Sequence, residues 1–494
     1  MREFSCLVRK HDRHHLELKT NLPIPKKGKG KYDLSFYLFS PAQLHFTKEN
    51  IGTEKVIKYI QTYTRFTSPA LPLSGMVDEQ CDLSPLIRIH NYFRSMELGD
   101  QIDELKIIYE LQTLINGFRS ELKGFTDLLK QVVHEEPANV LQYKRRITET
   151  IKQVQSVLIA LRDLFPQFLD LRVTDAARTA LSWTDEELGL IAIRHAIRLH
   201  DICEHEQEFS DLTVMIDEFI VKENAYRTGK AYESAFVSYD EQVGETLAYR
   251  ESMLKKWSQS AMYMKSIESR IPKRIGHILA GMAAATAMTF AILANLYAER
   301  FFVRDSVSWV LIIILAYVFK DRIKEILRDV FGRLLPRLLA NRIYRLIDPA
   351  TNKDAARSQV LIKFGLDRDQ PADIQKARNL QQNPFVSILP PQDVLHYNRL
   401  ISMKSKVLRG SHSRLDAITE ITRIRIDDWL KEMDDPEEIH YMLEDGKRKR
   451  VSGDRVYHVH LIASLKEDRK GSIPRLFHYC LVMDRSGILR VEER

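Results

Sequence analysis

The chain has 494 residues, of which 44% are apolar and 29% are charged, and its formal net charge is +7. That length exceeds one ordinary hydrophobic core and predicts several domains, while the balance of apolar and charged residues excludes a disordered chain. The net charge is mild and no basic stripe is interleaved with aromatic residues, so we expect no nucleic-acid partner.

Residues 1–97 are predicted to form a small mixed α/β domain. EFSCLVRK and KYDLSFYLFS are typical of strands, and TEKVIKYIQTYTRF is typical of a helix. The basic loop between the strands, PIPKKGKGK, lacks the residue order of a phosphate-binding P-loop and does not lead into a helix. We expect a solvated hairpin tip there, with contact to lipid headgroups as the alternative.

Residues 98–272 are predicted to form a bundle of long helices, the last of which continues toward the apolar segment that follows. Apolar residues recur at intervals of three and four, for example across 108–132, which favours coiled-coil-like packing. One helix carries HAIRLHDICEHE, and its HD dipeptide suggests a metal-dependent phosphohydrolase. However, His200 and Asp201 lie off the apolar stripe, so we interpret them as part of a solvated face, with His195 inside the bundle.

Residues 273–320 are predicted to form a two-helix transmembrane hairpin. Ile275 to Tyr297 supplies 23 residues without Asp, Glu, Lys or Arg, and a membrane helix needs roughly 20 mainly apolar residues. The second run, Val307 to Phe319, has only 13 residues, so it spans only if it starts near Phe301 and leaves Arg304 at the interface. The alternative is a hairpin buried inside a soluble protein.

Lysine and arginine residues flank this hairpin and are scarce in its loop. They cluster in 255–274 and again in 320–333, whereas the loop between the two apolar runs holds only Arg300 and Arg304. The positive-inside rule then places both termini in the cytoplasm and the hairpin in a bacterial-type inner membrane.

Residues 321–350 are predicted to form a basic amphipathic helix beside the membrane. Such a helix can lie on anionic lipid headgroups, and it can equally dock on the bundle; both interpretations stay open. The residues predicted to contact headgroups are Lys320, Lys324, Arg328, Arg333 and Arg337.

The first apolar run also contains small residues at four-residue spacing, Gly281, Ala285 and Thr289. Small residues let membrane helices approach closely, because lipid offers little hydrophobic force between helices. This ladder predicts either packing against the second run of the same chain or self-association into a homo-oligomer.

Residues 351–494 are predicted to form a connector followed by an α+β domain. Because side chains alternate along a strand, RVYHVHLIAS places His458 and His460 on one face, and RLFHYCLVMD does the same for His478 and Cys480. If the strand register brings these faces together, the four side chains make a possible zinc site. The favoured alternative is a sheet whose outer face carries amphipathic histidines, with no cofactor.

The four cysteines of the chain are far apart and none has CxxC spacing, which indicates free thiols in a reducing compartment. The first fifteen residues contain no apolar segment, so no secretory signal is expected. No nucleophile elbow, Walker motif or dinucleotide-binding glycine pattern is present, and we predict no catalytic or cofactor-binding residues.

Taken together, these patterns predict a mainly α-helical protein, with a cytoplasmic helical bundle joined to a two-helix transmembrane hairpin and a small domain at each end. The function they favour is that of a self-associating integral inner-membrane scaffold that binds an unknown cytoplasmic protein. Two alternatives remain, a metal-dependent enzyme tethered to the membrane and an oligomeric pore or membrane-disrupting effector.

Overall fold

The computed structural model describes residues 5–26, 28–67, 71–98, 104–135, 140–170, 173–205, 209–235, 241–269, 271–304, 306–338, 340–378, 390–411, 417–468 and 472–494. The chain is about 53% helical and 29% strand, and its strands form three antiparallel sheets. The predicted mainly α-helical fold class is therefore wrong. The error arises because strands near both chain ends, which were assigned to two small separate domains, combine into larger sheets.

Most strands come from the two ends of the chain, and the helices lie between them. The strands in the described residues are β1 (Ser5–Lys10), β2 (His15–Pro23), β3 (Lys29–Ser40), β4 (Ile60–Phe66), β5 (Lys265–Glu268), β6 (Arg342–Ile347), β7 (Asp354–Leu366), β8 (Asp393–Lys404), β9 (Ala417–Arg425), β10 (Glu437–Glu444), β11 (Lys447–Asp454), β12 (Tyr457–Glu467), β13 (Arg475–Asp484) and β14 (Gly487–Glu493).

The helices include long bundle helices and an adjacent pair that leaves the sheet. In the described residues they are α1 (Thr53–Tyr59), α2 (Leu73–Val77), α3 (Pro85–Glu97), α4 (Glu104–Glu135), α5 (Val140–Arg162), α6 (Leu164–Asp170), α7 (Asp175–His205), α8 (Ser210–Gly229), α9 (Glu241–Ser260), α10 (Ile271–Phe301), α11 (Val307–Leu338), α12 (Ala372–Arg378), α13 (Ser405–Ser411) and α14 (Asp427–Leu430).

The two larger sheets mix strands from both ends of the chain. The eight-stranded sheet has the order β14-β13-β12-β3-β8-β7-β6-β5, and the four-stranded sheet has the order β1-β2-β9-β4. β3 therefore lies between two strands from beyond residue 390, and β9 lies between two strands from the first 66 residues. Strands from the regions predicted as separate domains, 1–97 and 351–494, therefore pair with one another in the same two sheets.

The hydrophobic core of the β-structure lies between these two sheets. Leu34, Phe36 and Leu38 alternate along β3 with residues that point the other way, as a strand requires, and they pack with residues of the four-stranded sheet. Tyr37 and Phe39 lie on the opposite, outer face, where α12 covers them. The outer face thus has a small second core of its own.

A fully buried ion pair connects the two sheets. The Arg399 Nη2 of β8 lies 2.9 Å from a carboxylate oxygen of Glu420 of β9, and both side chains are 1% exposed. Thr64 of β4 donates a hydrogen bond to the other Glu420 carboxylate oxygen over 2.6 Å. A buried charge without a partner is costly, so this pair fixes how the sheets face each other.

The helical bundle is held by apolar seams and by three consecutive acids of α7. Phe118, Leu158 and Leu188 belong to one continuous buried cluster, so the predicted bundle of long helices is present. Buried inside it, Asp185 pairs with Arg162 of α5 over 2.9 Å. Its two neighbours on α7 pair with arginines of other helices, Glu186 with Arg250 of α9 over 2.7 Å and Glu187 with Arg119 of α4.

Two predicted helices end earlier than expected. The last bundle helix, α9, ends at Ser260, and β5 separates it from the apolar segment, so it does not continue into that segment. The basic helix predicted for 321–350 is the second half of α11, which ends at Leu338 and is followed by β6. Both strands were absent from the prediction because each is short, with four and six residues.

Candidate functional site

The pair α10–α11 leaves the eight-stranded sheet from two adjacent strands. β5 precedes α10, β6 follows α11, and these strands pair antiparallel at the edge of the sheet. The Ser269 N–H donates to the Ile343 carbonyl over 2.7 Å, which extends the pairing toward the helices. The start of α10 and the end of α11 are therefore both attached to the same edge of the eight-stranded sheet.

The two helices expose a long apolar surface. α10 exposes residues such as Phe290, Leu293 and Leu296, and α11 exposes Leu311 and Val318. A soluble monomer rarely exposes a continuous apolar patch of more than a few hundred Å². The alternative of a hairpin buried inside a soluble protein does not match the exposure of these described side chains.

One helix among the described residues is long and apolar enough to cross a membrane. It runs from Arg274 to Phe301 and has 28 residues. α11 does not qualify, because its apolar run ends at Phe319 and is followed by Lys320, Asp321 and Arg322. The predicted pair of membrane-spanning helices is therefore not supported, and the structure shows one candidate span.

The small residues of α10 divide into two stripes. Ala283, Ala287 and Ala298 are buried where α10 packs against α11, and Ala316 of α11 is buried as well. Ala287 lies four residues after Ala283 and eleven before Ala298, and such spacing alone does not tell which stripe meets α11.

The predicted ladder lies on another side of α10. Gly281, Ala285 and Thr289 are all exposed, and a Cβ added to Gly281 would meet no atom within 4 Å. The Thr289 hydroxyl donates to the Ala285 carbonyl of the same helix over 3.0 Å, so its hydrogen bond is made within α10. The ladder takes no visible part in the packing of α10 on α11.

The predicted headgroup-binding residues continue along α11 beyond its apolar half. Lys324 and Arg328 are exposed, and Lys320 lies with its Nζ 3.6 Å from the centre of the Tyr317 ring. Arg333 and Arg337 belong to the same helix, but their side chains lie outside the described residues. At 1.5 Å per residue, α11 is about 48 Å long, so its basic half extends well past the apolar half.

The predicted zinc residues share the outer face of the eight-stranded sheet. His460 lies directly opposite Cys480 in the β12–β13 register, and the His460 Nδ1 is 3.0 Å from the His478 Nε2. His458 lies on the same face one step along β12 and is exposed, opposite Val482. The register thus brings the two faces together, as the zinc hypothesis required.

Both central imidazoles are held in the neutral form. Burial, with Arg378 of α12 as the next cause, lowers the pKa of His460 to about 3 and that of His478 to about 4. Neutral imidazole is the form that binds metal. Among the described residues, however, no group of three or more His, Cys, Asp or Glu side chains is placed to hold a metal ion. The zinc site stays a prediction.

Comparisons with protein-family models, with curated proteins and with solved structures found no match to this chain.

Proposed function

We propose that this protein is a membrane-anchored scaffold whose one candidate span, α10, enters the lipid bilayer with the apolar half of α11 packed beside it. The observation that supports this most directly is the exposed apolar surface of both helices, at residues such as Leu293 and Leu311. Burying apolar area contributes roughly 25 cal/mol per Å², and a bilayer is the environment that offers this burial along the length of a helix.

The folded mass would then lie on one side of the membrane. β5 and β6 pair at the base of the helices, so the chain enters and leaves the apolar region from the same sheet edge. Basic residues flank the apolar runs along the chain, including Lys265, Arg274, Lys324 and Arg328. By the positive-inside rule we place the sheets, the bundle and both termini on the cytoplasmic side of a bacterial-type inner membrane.

The scaffold role is proposed for the bundle and the sheets, and self-association is proposed for α10. The exposed stripe of Gly281, Ala285 and Thr289 is free of α11 and permits close approach of a second α10 in lipid. The bundle would present its outer surface to a cytoplasmic protein.

Membrane extraction tests the anchoring. We expect the wild-type protein to stay in the membrane fraction during an alkaline carbonate wash and to float with reconstituted liposomes. Leu293→Arg together with Leu296→Arg should reduce insertion, because each Arg at the centre of a membrane helix costs about 2.5–3.5 kcal/mol on insertion scales.

The matched control is Leu105→Arg in α4, which alters another exposed apolar side chain, on the bundle. It should leave membrane retention unchanged. Release of the wild-type protein by the alkaline wash would contradict the proposal. Reporters fused after residue 264 and after residue 350 should both report cytoplasm, and a periplasmic signal from either would contradict the orientation.

A further inference from the structure

The β10–β11 hairpin stands apart from the other two sheets. Its strands pair only with each other among the described residues, and nearly all of their side chains are exposed. Asp445 and Gly446 form the tip, with φ angles of 50° and 73°, and these positive values match a type I′ turn. An isolated two-stranded hairpin is marginally stable in water, so this element needs a surface to rest on.

One face of the hairpin combines apolar and cationic side chains. Ile439, Tyr441 and Leu443 alternate along β10 and are 45%, 76% and 76% exposed. Arg448 lies opposite Leu443 and Arg450 opposite Tyr441 in the register, so both arginines share this face. Neither arginine has a hydrogen-bond or ion-pair partner among the described side chains.

The other face differs in its charges. Its Lys449 pairs with Glu444 over 2.5 Å, so that lysine has a partner within the hairpin. The face with Ile439, Tyr441 and Leu443 is therefore the one that offers two unpaired cations together with three exposed apolar side chains.

The hairpin also lies at the end of the sheet from which α10 and α11 leave. It runs directly into Tyr457 at the start of β12. The registers through β3, β8 and β7 place the start of β12 at the same end of the sheet as the start of β6. Arg342, at that start, follows directly on the segment that ends α11.

We propose that the β10–β11 hairpin is a second membrane-contact element, which lays its Ile439, Tyr441 and Leu443 face on an anionic bilayer surface. This inference rests on the proposed function, since it needs the bilayer that α10 enters. Tyr441 would lie at headgroup depth with its hydroxyl in water, as aromatic residues do at membrane interfaces. Arg448 and Arg450 would contact lipid phosphates, while their apolar stems cover the acyl boundary.

Site-specific labelling of the full-length protein tests the contact. Cys6, Cys203 and Cys480 are buried, so Cys81→Ser provides a background in which an added cysteine can be labelled selectively. The hairpin reporter is Leu443→Cys carrying an environment-sensitive fluorophore. The reporters are read in proteoliposomes with nitroxide-labelled lipid, made from phosphatidylcholine with or without phosphatidylglycerol.

Two further reporters control the measurement. Leu293→Cys in α10 reports insertion of the anchor itself. Ile473→Cys lies in the β12–β13 connection, at the opposite end of the sheet, and is also highly exposed, which makes it the matched negative control. We expect quenching at residues 443 and 293 but not at 473, with quenching at 443 stronger in the anionic bilayers.

Substitution of Arg448 and Arg450 tests the electrostatic part of the contact quantitatively. One basic residue near an anionic surface is worth about 1 kcal/mol, or about fivefold in a binding equilibrium. Arg448→Gln with Arg450→Gln should therefore lower the ratio of docked to undocked hairpin by about 25-fold, and high salt should act in the same direction.

Quenching at 293 without quenching at 443 in anionic bilayers would overturn the hairpin contact and leave the anchor in place. Quenching at 443 that is the same with and without anionic lipid, and the same after the two arginine substitutions, would also overturn the hairpin contact. Absence of quenching at 293 would instead contradict the proposed function. A signal change at 443 that needs an added protein and no lipid would show that a protein covers this face, which also overturns the inference.

Discussion

Ser269, just before α10, donates its N–H to the carbonyl of Ile343, just after α11, over 2.7 Å. This hydrogen bond joins the two chain segments that flank the helical pair. Arg342, the neighbour of Ile343, reinforces this junction by pairing with Glu268 and, over 2.6 Å, with Glu54 of α1. The base of the helical pair is thus tied to the β-structure by backbone and side-chain bonds together.

Arg342→Ala should loosen this base. It removes charge-assisted hydrogen bonds to two exposed carboxylates, so we expect a loss of about 1 kcal/mol in local stability. Faster amide hydrogen exchange in residues 262–269, measured by mass spectrometry, would show it. Arg345→Ala is the control, because Arg345 is exposed and lies 3.5 Å from Asp354. Equal exchange in both variants would contradict the role given to Arg342.

The two stripes of α10 should respond differently to larger side chains. Gly281→Leu with Ala285→Leu should weaken self-association and leave insertion intact, because leucine is at least as apolar. Ala283→Leu with Ala287→Leu should instead disturb the packing of α10 on α11, where both alanines are buried. Crosslinking and mass photometry in detergent separate the two results. An oligomer unchanged by the first pair of substitutions would contradict self-association through this stripe.

Asp185→Asn should destabilise the bundle strongly. Besides Arg162, the carboxylate accepts hydrogen bonds from the Tyr226 and Tyr232 hydroxyls over 2.9 and 2.8 Å. Removing one partner of a buried ion pair costs about 3–5 kcal/mol. Urea unfolding followed by helical circular dichroism measures the loss.

The control for this substitution is Asp175→Asn at the start of the same helix. Asp175 is 99% exposed and lies 3.5 Å from Arg178, so the change should stay within about 0.5 kcal/mol. Similar effects of the two substitutions would contradict the stabilising role of the buried acid.

His195 should make the bundle less stable in mild acid. Burial, and secondly Arg198, lowers the pKa of His195 to about 4, and Thr126 contacts its Nδ1 at 2.7 Å. Unfolded histidine titrates near 6.5, so above that pH neither state binds the proton. Between about 6.5 and 4 the unfolded chain binds it and the folded chain does not, and the free energy of unfolding falls.

Unfolding curves at several pH values in this range test the effect. His195→Gln should reduce the slope of this dependence, whereas His200→Gln, on the same helix but partly exposed, should keep it. A wild-type unfolding free energy that is constant from pH 6.5 to 4.5 would contradict this account of His195.

Zinc should be substoichiometric in the purified protein, because His460 and His478 contact each other but no third ligand completes a site among the described residues. Elemental analysis measures the metal content. Stoichiometric zinc that disappears in His460→Ala and in Cys480→Ala would establish the site and favour the tethered enzyme.

Local patterns predicted many elements correctly, because their causes are local. The apolar run of α10 and the strands around Cys6, Phe36, His460 and Cys480 are all present where expected. β2 was not predicted, although Leu16, Leu18 and Leu22 alternate and are fully buried. The charged residue Glu17 interrupts this pattern in the sequence, and in the fold it is buried in ion pairs with Arg9 and Arg423.

The pairing of strands could not be predicted in the same way. Nothing near β3 in the sequence indicates that its neighbours begin at residues 393 and 457. The burial of the three acids of α7 could not be predicted either, because TDEEL in the sequence resembles an exposed helix face. Their partners, Arg162, Arg250 and Arg119, lie on other helices. For the β10–β11 hairpin the signal was present, a DG turn between alternating residues, but its exposure is known only from the structure.

The placement of β3 between β8 and β12 also sets the order of events during synthesis. Residue 40 leaves the ribosome long before residue 457, by roughly 20 to 80 s at 5–20 residues per second. Until residue 393 is made, β3 has neither of its neighbouring strands, and until residue 457 is made one of its two edges stays unpaired. α10 is translated in the meantime, so a chain anchored as proposed would reach the bilayer while its β-structure is still incomplete. Nascent chains of this protein should therefore depend on a chaperone that holds β2 and β3 until the last strands arrive.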